Sequence, residues 1–383
     1  MRRRTVPTIL VVSLLLHGLI AWRLLPALDW GPWSTAIGAG GMALSALLVP
    51  APLLVRLAHL PRRASDLLAW TGYLAMGLFS TLFVATLARD AVLLIALLWN
   101  VLGPVSLDLD FWRTVSARAV VILAAAMSFI GLINARRLAR VVRIDVPIPN
   151  LPAALQGFTI VQLSDVHIGP TIKRGFIEAI VGRVNSLDAD LVAITGDLVD
   201  GAVERLQQHI APLSQLKSRH GTFAVTGNHE YYHGADQWIR EWNRLGFEVL
   251  ENRSVILDHG GARLLIAGVS DFSTHRPQAH HDAAVQAARS DVAVSAKVLL
   301  AHQPRSAPAA SAAGFDLQLS GHTHGGQFWP WNLFVPLQQP FVAGLHRLQE
   351  LWVYVSRGTG YWGPPLRFGA PSEITCVRLV AVA

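Results

Sequence analysis

Five short polar blocks in the second half of the chain gather the residue types that hold divalent cations. They are Asp165-Val166-His167, Gly196-Asp197-Leu198-Val199-Asp200, Gly227-Asn228-His229-Glu230, Ala301-His302-Gln303-Pro304 and Gly321-His322-Thr323-His324-Gly325-Gly326. Carboxylate, carboxamide and imidazole groups are the donors that hard and borderline divalent ions take, and there are enough of them for two ions. A carboxylate shared between two ions has to be short and closely approached, and Asp197 on the Gly196 turn suits that. Two ions about 3.5 to 4 Å apart can share a hydroxide, lower its pKa and stabilise the attacking and leaving oxygens of an in-line displacement at phosphorus. No Ser or Cys nucleophile is then required. Cys376, the single cysteine, lies in the apolar run 374–382 and reads as a small core residue.

The elements that must position these blocks are legible as well. Each block follows a run that reads as a buried strand: 158–163, 191–195, 222–226, 297–301 and 316–320. Strand ends let a rigid sheet aim several side chains at one point. Residues 175–187 and 203–216 read as amphipathic helices, and strands alternating with helices predict an α/β sandwich with helices outside packed sheets. The length after residue 157 suits one domain with an ample core. Trp352 to Val355 reads as a further strand, followed by Arg357, Gly358 and Gly360, with Arg367 beyond. An arginine there could clamp a phosphate bidentately. Trp329, Trp331 and Trp362 could line a cleft or meet a bilayer interface, although core packing is their ordinary role. His275, His280, His281, His209, His220, His233, His259 and His346 read as surface or helix-end residues.

The first part of the chain is a different polymer. Charge-free apolar stretches run over 5–22, 31–55, 67–88, 91–107 and 119–135, and mean hydropathy is +0.39 overall. Spanning a bilayer takes about 20 mostly apolar residues, so the chain reads as an integral membrane protein. Only Arg89-Asp90 separates the third and fourth stretches, too short a connection for antiparallel helices. Residues 91–107, with Asn100 and a Gly103-Pro104 break, therefore extend the third helix or lie at the interface. Four spans place Arg2-Arg3-Arg4, the arginines of 56–63 and those of 136–143 on one side, which the positive-inside rule makes cytoplasmic. A five-span arrangement would put the last group outside, against that rule. The basic, apolar N-terminus lacks a clear cleavage site before Arg23 and reads as a retained anchor. The organisation expected is a helical membrane domain over 1–143, a proline-rich extended linker over 144–157 and an α/β domain over 158–383.

Charge divides the same way. Through Asp145 there are 14 Arg against 6 Asp, or +8, and the remainder carries −1. The basic excess therefore belongs to the membrane part, where it sets topology and meets anionic lipid headgroups, and no nucleic-acid partner is expected. The lack of paired cysteines fits a reducing compartment.

The five blocks, in this order and each at a strand end, resemble the calcineurin-like metallophosphoesterase family, in its membrane-anchored bacterial branch. The resemblance covers roughly residue 158 to the C-terminus, with no departure at a ligand position; Glu230 matches a common family form too. It implies one metal on Asp165, His167, Asp197 and His324 and a second on Asp197, Asn228, His302 and His322, with Asp197 bridging. The ions would be Mn, Fe or Zn. It implies His229 as proton donor to the leaving oxygen with Asp200 orienting its ring; the plainer role for His229 is a hydrogen bond to a phosphate oxygen. Together these readings predict a membrane-anchored phosphohydrolase that cleaves a phosphoester or pyrophosphate bond by attack of metal-bound hydroxide. The expected location is the inner or plasma membrane, with the catalytic domain in the cytoplasm. Anchoring favours a lipid-linked substrate, and similarity to enzymes hydrolysing UDP-2,3-diacylglucosamine makes that lipid one candidate; a water-soluble phosphorylated compound or a phosphoprotein is another. The contrasting reading is a membrane sensor or scaffold that binds phosphate through the metal site without turnover.

Overall fold

A computed structural model describes residues 5–55, 60–104, 106–274 and 284–382. Arg2 to Arg4, Arg56 and the His275, His280 and His281 group lie outside the described residues. The chain divides into two compact units. One comprises residues 1–133 together with Gly363–Phe368, and the other Asn134–Trp362 with Gly369–Ala383.

The first unit is helical: α1 (Thr5–Leu28), α2 (Pro32–Leu48), α3 (Ala51–Val55), α4 (Arg62–Leu102) and α5 (Leu109–Arg136), the last running on into the second unit. Among the described residues, four of its segments are long and apolar enough to cross a membrane: Pro7–Leu28, Pro32–Leu54, Arg62–Leu102 and Leu109–Arg136. Residues 91–102 thus continue the third helix, as its extension. At 1.5 Å per residue α4 is about 60 Å long, twice the hydrocarbon thickness of a bilayer.

The Arg89-Asp90 pair does not break α4 because neighbouring helices satisfy it. Arg23 of α1 donates twice to the Asp90 carboxylate, at 2.7 and 3.0 Å. Arg89 donates to Ser116 Oγ at 3.0 Å and to the Arg113 carbonyl at 2.9 Å on α5. Buried charges persist among apolar helices only when paired in this way. Gly363–Phe368 packs with the same unit: the Arg367 amide donates to the Gly131 carbonyl at 2.9 Å, and a Cβ at Gly77 would meet Leu366.

The second unit is built on two six-stranded sheets. The strands are β1 (Arg140–Ile148), β2 (Thr159–Leu163), β3 (Leu191–Thr195), β4 (Thr222–Val225), β5 (Phe247–Val249), β6 (Arg253–His259), β7 (Ala262–Gly268), β8 (Ala296–Leu300), β9 (Leu317–Ser320), β10 (Gly344–Leu348), β11 (Leu351–Val355) and β12 (Glu373–Ala381). Their orders are β1-β12-β2-β3-β4-β5 and β10-β11-β9-β8-β7-β6. Within them β2, β3 and β4 run parallel, as do β7, β8, β9 and β11.

Alternation along each strand decides what it packs against. Ile160, Leu191, Ala193, Phe223 and Val225 from the first sheet join Leu264, Ile266, Val298, Leu300, Leu317 and Leu319 from the second in one inter-sheet core. The opposite side chains of the first sheet, such as Val161, Leu163, Val192 and Ile194, pack with Ile177, Ile180, Leu206, Trp238 and Trp242. Those come from α6 (Arg174–Asn185), α7 (Val203–Ile210) and α9 (Ala235–Arg244); a short helix, α8 (Asn228–Tyr232), precedes α9. The outer face of the second sheet packs on Ala307, Ala310 and Phe315. The expected α/β sandwich is what forms.

The linker reading of 144–157 needs correction. That stretch is extended, but Arg140–Ile148 is an edge strand paired in parallel with β12 over nine residues. Val146 and Ile148 are buried in the inter-sheet core, and Trp352 Nε1 donates to the Pro147 carbonyl at 2.8 Å. Proline is tolerated on an edge strand, so Pro147 within β1 marks an edge and not a spacer, and Pro149 and Pro152 follow the strand's end. Ile148→Ala should lower the stability of this unit by about 2–5 kcal/mol, read from chemical denaturation followed by tryptophan fluorescence. A change under about 0.5 kcal/mol would return the segment to the role of a linker.

Candidate metal centre

All five blocks emerge at C-terminal strand ends, three from the first sheet and two from the second. Asp165 and His167 follow β2, Asp197 and Asp200 follow β3, and Asn228 and His229 open α8 directly after β4. His302 follows β8, while His322 and His324 follow β9. Gln162, fully buried on β2, bridges the sheets beside the site by donating to Thr195 Oγ1 at 2.8 Å and to the Ser320 carbonyl at 2.9 Å.

The chain bends sharply to deliver these side chains. Asp165, His167, Asp197, His322 and His324 hold φ of 52°, 54°, 52°, 69° and 52°. Side-chain-bearing residues adopt this left-handed region only when their surroundings impose it, at a cost of order 1–3 kcal/mol each. The surroundings here are a set of local hydrogen bonds. Amides of Asp165 and His167 donate to the carbonyls of Gly196 and Asp197, both at 3.1 Å, and that of Gly360 donates to the Asp165 carbonyl at 3.0 Å. Thr359 donates its amide to the Ser164 carbonyl at 2.7 Å. Arg357 is drawn into the buttress by Glu373, to which it donates through its amide and guanidinium, each at 3.1 Å.

Two glycines admit the close approach. Gly196 has φ of 86°, and a Cβ there would stand 2.7 Å from His302 Nδ1 and from the Gly227 amide. A Cβ at Gly321 would fall on Ser164 Oγ and the Asp165 carboxylate.

The donor atoms fall into two pockets, with Asp197 a member of the second and 3.9 Å from His167 of the first. Asp165, His167 and His324 offer atoms lying within 4.8 Å of one another, as do Asp197, His302 and His322; a third such group is His167, Asp197 and His229. In the first pocket His167 Nε2 and His324 Nε2 are 3.0 Å apart, and Asp165 Oδ1 is 3.5 Å from the latter. In the second, His302 Nε2 is 3.2 Å from Asn228 Oδ1, 3.1 Å from His322 Nδ1 and 3.2 Å from Asp197 Oδ2. That Asp197 oxygen is also 3.9 Å from His167 Nε2. Donor separations near 3 Å are those of ligands about 2.0–2.2 Å from a common ion.

Hydrogen bonds away from the pockets fix the ligands. His302 Nδ1 donates to the Thr195 carbonyl at 2.8 Å, leaving the Nε2 lone pair aimed inward, as in protein metal sites generally. Asp165 accepts from Ser164 Oγ at 2.6 Å and from the His322 amide at 3.0 Å. The donor set and its orientation fit divalent cations.

Two acidic residues have wider roles than their spacing revealed. Asp200 contacts His229 Nδ1 through one oxygen and so orients that ring, and its other oxygen lies 3.3 Å from His167 Nδ1. Glu230, fully buried, accepts from the amides of Asp197 at 3.0 Å, Leu198 at 2.8 Å, Val199 at 3.3 Å and Gly227 at 2.7 Å. It thereby ties the Asp197 turn to the start of α8. Ser164, Thr195 and Thr359 have no role in the sequence reading, which names Glu230 only as part of its block and Gly360 only as following a strand.

Electrostatics follow from packing so many ionisable groups together. Burial alone would raise Asp197 and Asp200, but the histidines facing each of them outweigh it and hold both below the usual carboxylate range. Burial, with the Asp197 charge, lifts Glu230 to about 8. Burial and neighbouring His302 lower His322 to about 4, keeping its lone pair free. For His229, burial acts downward, yet the bond to Asp200 and the charge of Asp197 prevail and raise it to about 9. Its ring lies 5.2 Å from that of Tyr232 and 5.8 Å from that of Trp362.

The tryptophans do not play the packing role that is ordinary for them. Trp329, Trp331 and Trp362 are 41%, 42% and 51% exposed. The Trp362 backbone is pinned by Gln327 through two hydrogen bonds of 2.8 Å.

A family model described as calcineurin-like phosphoesterase matches residues 158–326. An uncharacterized metallophosphoesterase of Campylobacter jejuni is 37% identical, covering 81% of this chain and 82% of that protein. The chain belongs to the calcineurin-like metallophosphoesterase family. Proteins named transmembrane protein with metallophosphoesterase domain, from Danio rerio and Bos taurus, are 37% and 38% identical over 70% and 72% of this chain. The chain spans 63% and 65% of those two relatives' lengths. This metallophosphoesterase therefore has relatives that pair the domain with transmembrane segments.

Gly321→Ala should weaken metal binding at least tenfold while leaving the far-ultraviolet circular dichroism unchanged, measured by metal content after dialysis against limiting Mn²⁺. Unaltered affinity would contradict the packing described. A raised His229 pKa also has a sign: its stabilisation of the metal-free fold is fully present below about pH 6.5 and is lost as pH rises through about 9. Thermal melting of the metal-stripped protein should show that decline, and His229→Gln should flatten it.

Proposed function

We propose that this metallophosphoesterase is a membrane-anchored phosphohydrolase acting on a phosphoester or pyrophosphate bond. The observation that carries the reading is the pair of donor pockets around Asp197 with the His229–Asp200 couple beside them. One ion is assigned to Asp165, His167, Asp197 and His324, the other to Asp197, Asn228, His302 and His322, with Mn, Fe and Zn all suited to this donor set. When bound, two such cations would acidify a water and offset charge on the phosphoryl oxygens.

The chain's own residues do the rest. Asp197 sets the spacing of the two pockets, and Asn228 completes the second without adding charge. His229 in its protonated form donates from Nε2 to the departing oxygen, while Asp200 holds Nδ1 and so fixes the ring. Tyr232 and Trp362 flank that ring.

The apolar N-terminal helices keep the site close to lipid, which favours a lipid-linked phosphodiester or pyrophosphate; UDP-2,3-diacylglucosamine is one such compound. The side that carries the arginines is assigned to the cytoplasm, in the inner or plasma membrane, and the catalytic unit to that side. A nucleic-acid partner is not proposed, because the part after Asp145 carries net charge −1.

The test is turnover of a generic aryl phosphodiester and the matching monoester by the full chain, stripped of metal and reloaded with Mn²⁺. His229→Ala should lower kcat by about 10²- to 10⁴-fold with metal content unchanged, whereas Asp197→Ala should lose both metal and turnover. Retained cellular function in a His229→Ala strain would instead mark a phosphate-binding scaffold.

A further inference from the structure

The segment that follows the His322–His324 turn is unlike the rest of the domain's surface. Residues 317–346 contain no Asp, Glu, Lys or Arg. Within them, Trp329, Trp331, Leu333, Phe334 and Leu337 are 41%, 42%, 62%, 48% and 80% exposed. Large apolar side chains scattered singly over a surface need no explanation, but five within nine residues make a continuous patch.

The patch is built and not a loose end. Two short 3₁₀ turns, Trp331–Leu333 and Val335–Leu337, carry it. Amides of Trp331, Leu333, Phe334, Leu337 and Gln338 donate to the carbonyls of Phe328, Pro330, Trp331, Phe334 and Val335, at 2.9 to 3.1 Å. Local pairing of the backbone removes much of the cost of leaving water. The turns are seated on the metal-site loop, because a Cβ at Gly326 would overlap the backbone of Asn332.

We propose that residues 329–337 form a membrane-docking loop whose apolar side chains rest in the headgroup region of a bilayer. Two observations select lipid as the occupant. Tryptophan with aliphatic and proline residues, free of charge, is the composition favoured at the membrane–water interface. The same chain carries, among the described residues, four helices long and apolar enough to cross a bilayer, so lipid is always at hand in high effective concentration.

Docking there has a consequence for the substrate, which rests on the hydrolase reading above. His324 stands five residues before Trp329, so the metal site would open at headgroup depth. The substrate class is then a phosphodiester or pyrophosphate whose leaving or retained group stays in the bilayer.

Docking is tested without using activity. Full-length protein carrying Leu333→Cys, Leu337→Cys or Glu350→Cys is spin-labelled and reconstituted in bilayers of mixed zwitterionic and anionic phospholipid. Cys376 is buried and stays unlabelled, and Glu350, 87% exposed on the β10–β11 turn, reports an aqueous position. Collisions with oxygen should exceed those with a water-soluble nickel chelate at positions 333 and 337, and the order should reverse at 350. Nickel-dominated relaxation at both 333 and 337 would overturn the docking loop, whatever the enzyme hydrolyses. Two separate labels guard against one variant failing to fold.

Discussion

The Asp197 carboxylate faces donors from both sheets, and the rest of the second unit is arranged around that convergence. One of its oxygens lies 3.2 Å from His302 of the second sheet and 3.9 Å from His167 of the first. Here the donors around the carboxylate come from both sheets. Two sheets packed face to face, with parallel strands ending at the same edge, allow this. The inter-sheet core is thus what sets the spacing of the donors: the residues that fill it fix where β2, β3, β4, β8 and β9 end.

Converging so many ligands demands backbone conformations that L-residues avoid. Left-handed φ values at five ligand positions are held by short-range amide-to-carbonyl bonds and by Glu230, which takes four amides on one carboxylate. The result is a site whose shape is braced by the surrounding backbone. Preorganisation of this kind is what electrostatic catalysis needs, since donors that must move when charge develops lose much of their benefit. It also explains why small residues occur where they do, for Gly196 and Gly321 leave room only for hydrogen.

Much of this was legible in the sequence, for a physical reason. Candidate ligands at strand ends produce compact local signatures, a run of apolar residues followed by Asp, His or Asn, and the seven positions proposed as ligands stand out in the sequence in that way. The strands themselves shifted by a residue or so at their ends, and the four apolar helices follow directly from hydropathy. What escaped depends on contacts between distant segments. Thr359 and Gly360 buttress Ser164 and Asp165 across nearly two hundred residues, and nothing in the local pattern around them announces it. β1 is an edge strand with Pro147 near its end and two more prolines just after it, so the composition imitates a spacer, and only its pairing with β12 reveals it. Asp200 pairs with a second histidine because two loops meet, and the exposure of Trp329, Trp331 and Trp362 depends on how a turn is seated on Gly326.

The central claim is that two ions occupy the pockets and share Asp197. Electron paramagnetic resonance of the full chain loaded with Mn²⁺ tests it most directly. The account predicts two ions per chain with the multiline spectrum of an exchange-coupled pair, replaced in Asp197→Asn by that of isolated Mn²⁺. A single bound ion, or two ions with no magnetic coupling in the unaltered protein, would contradict it.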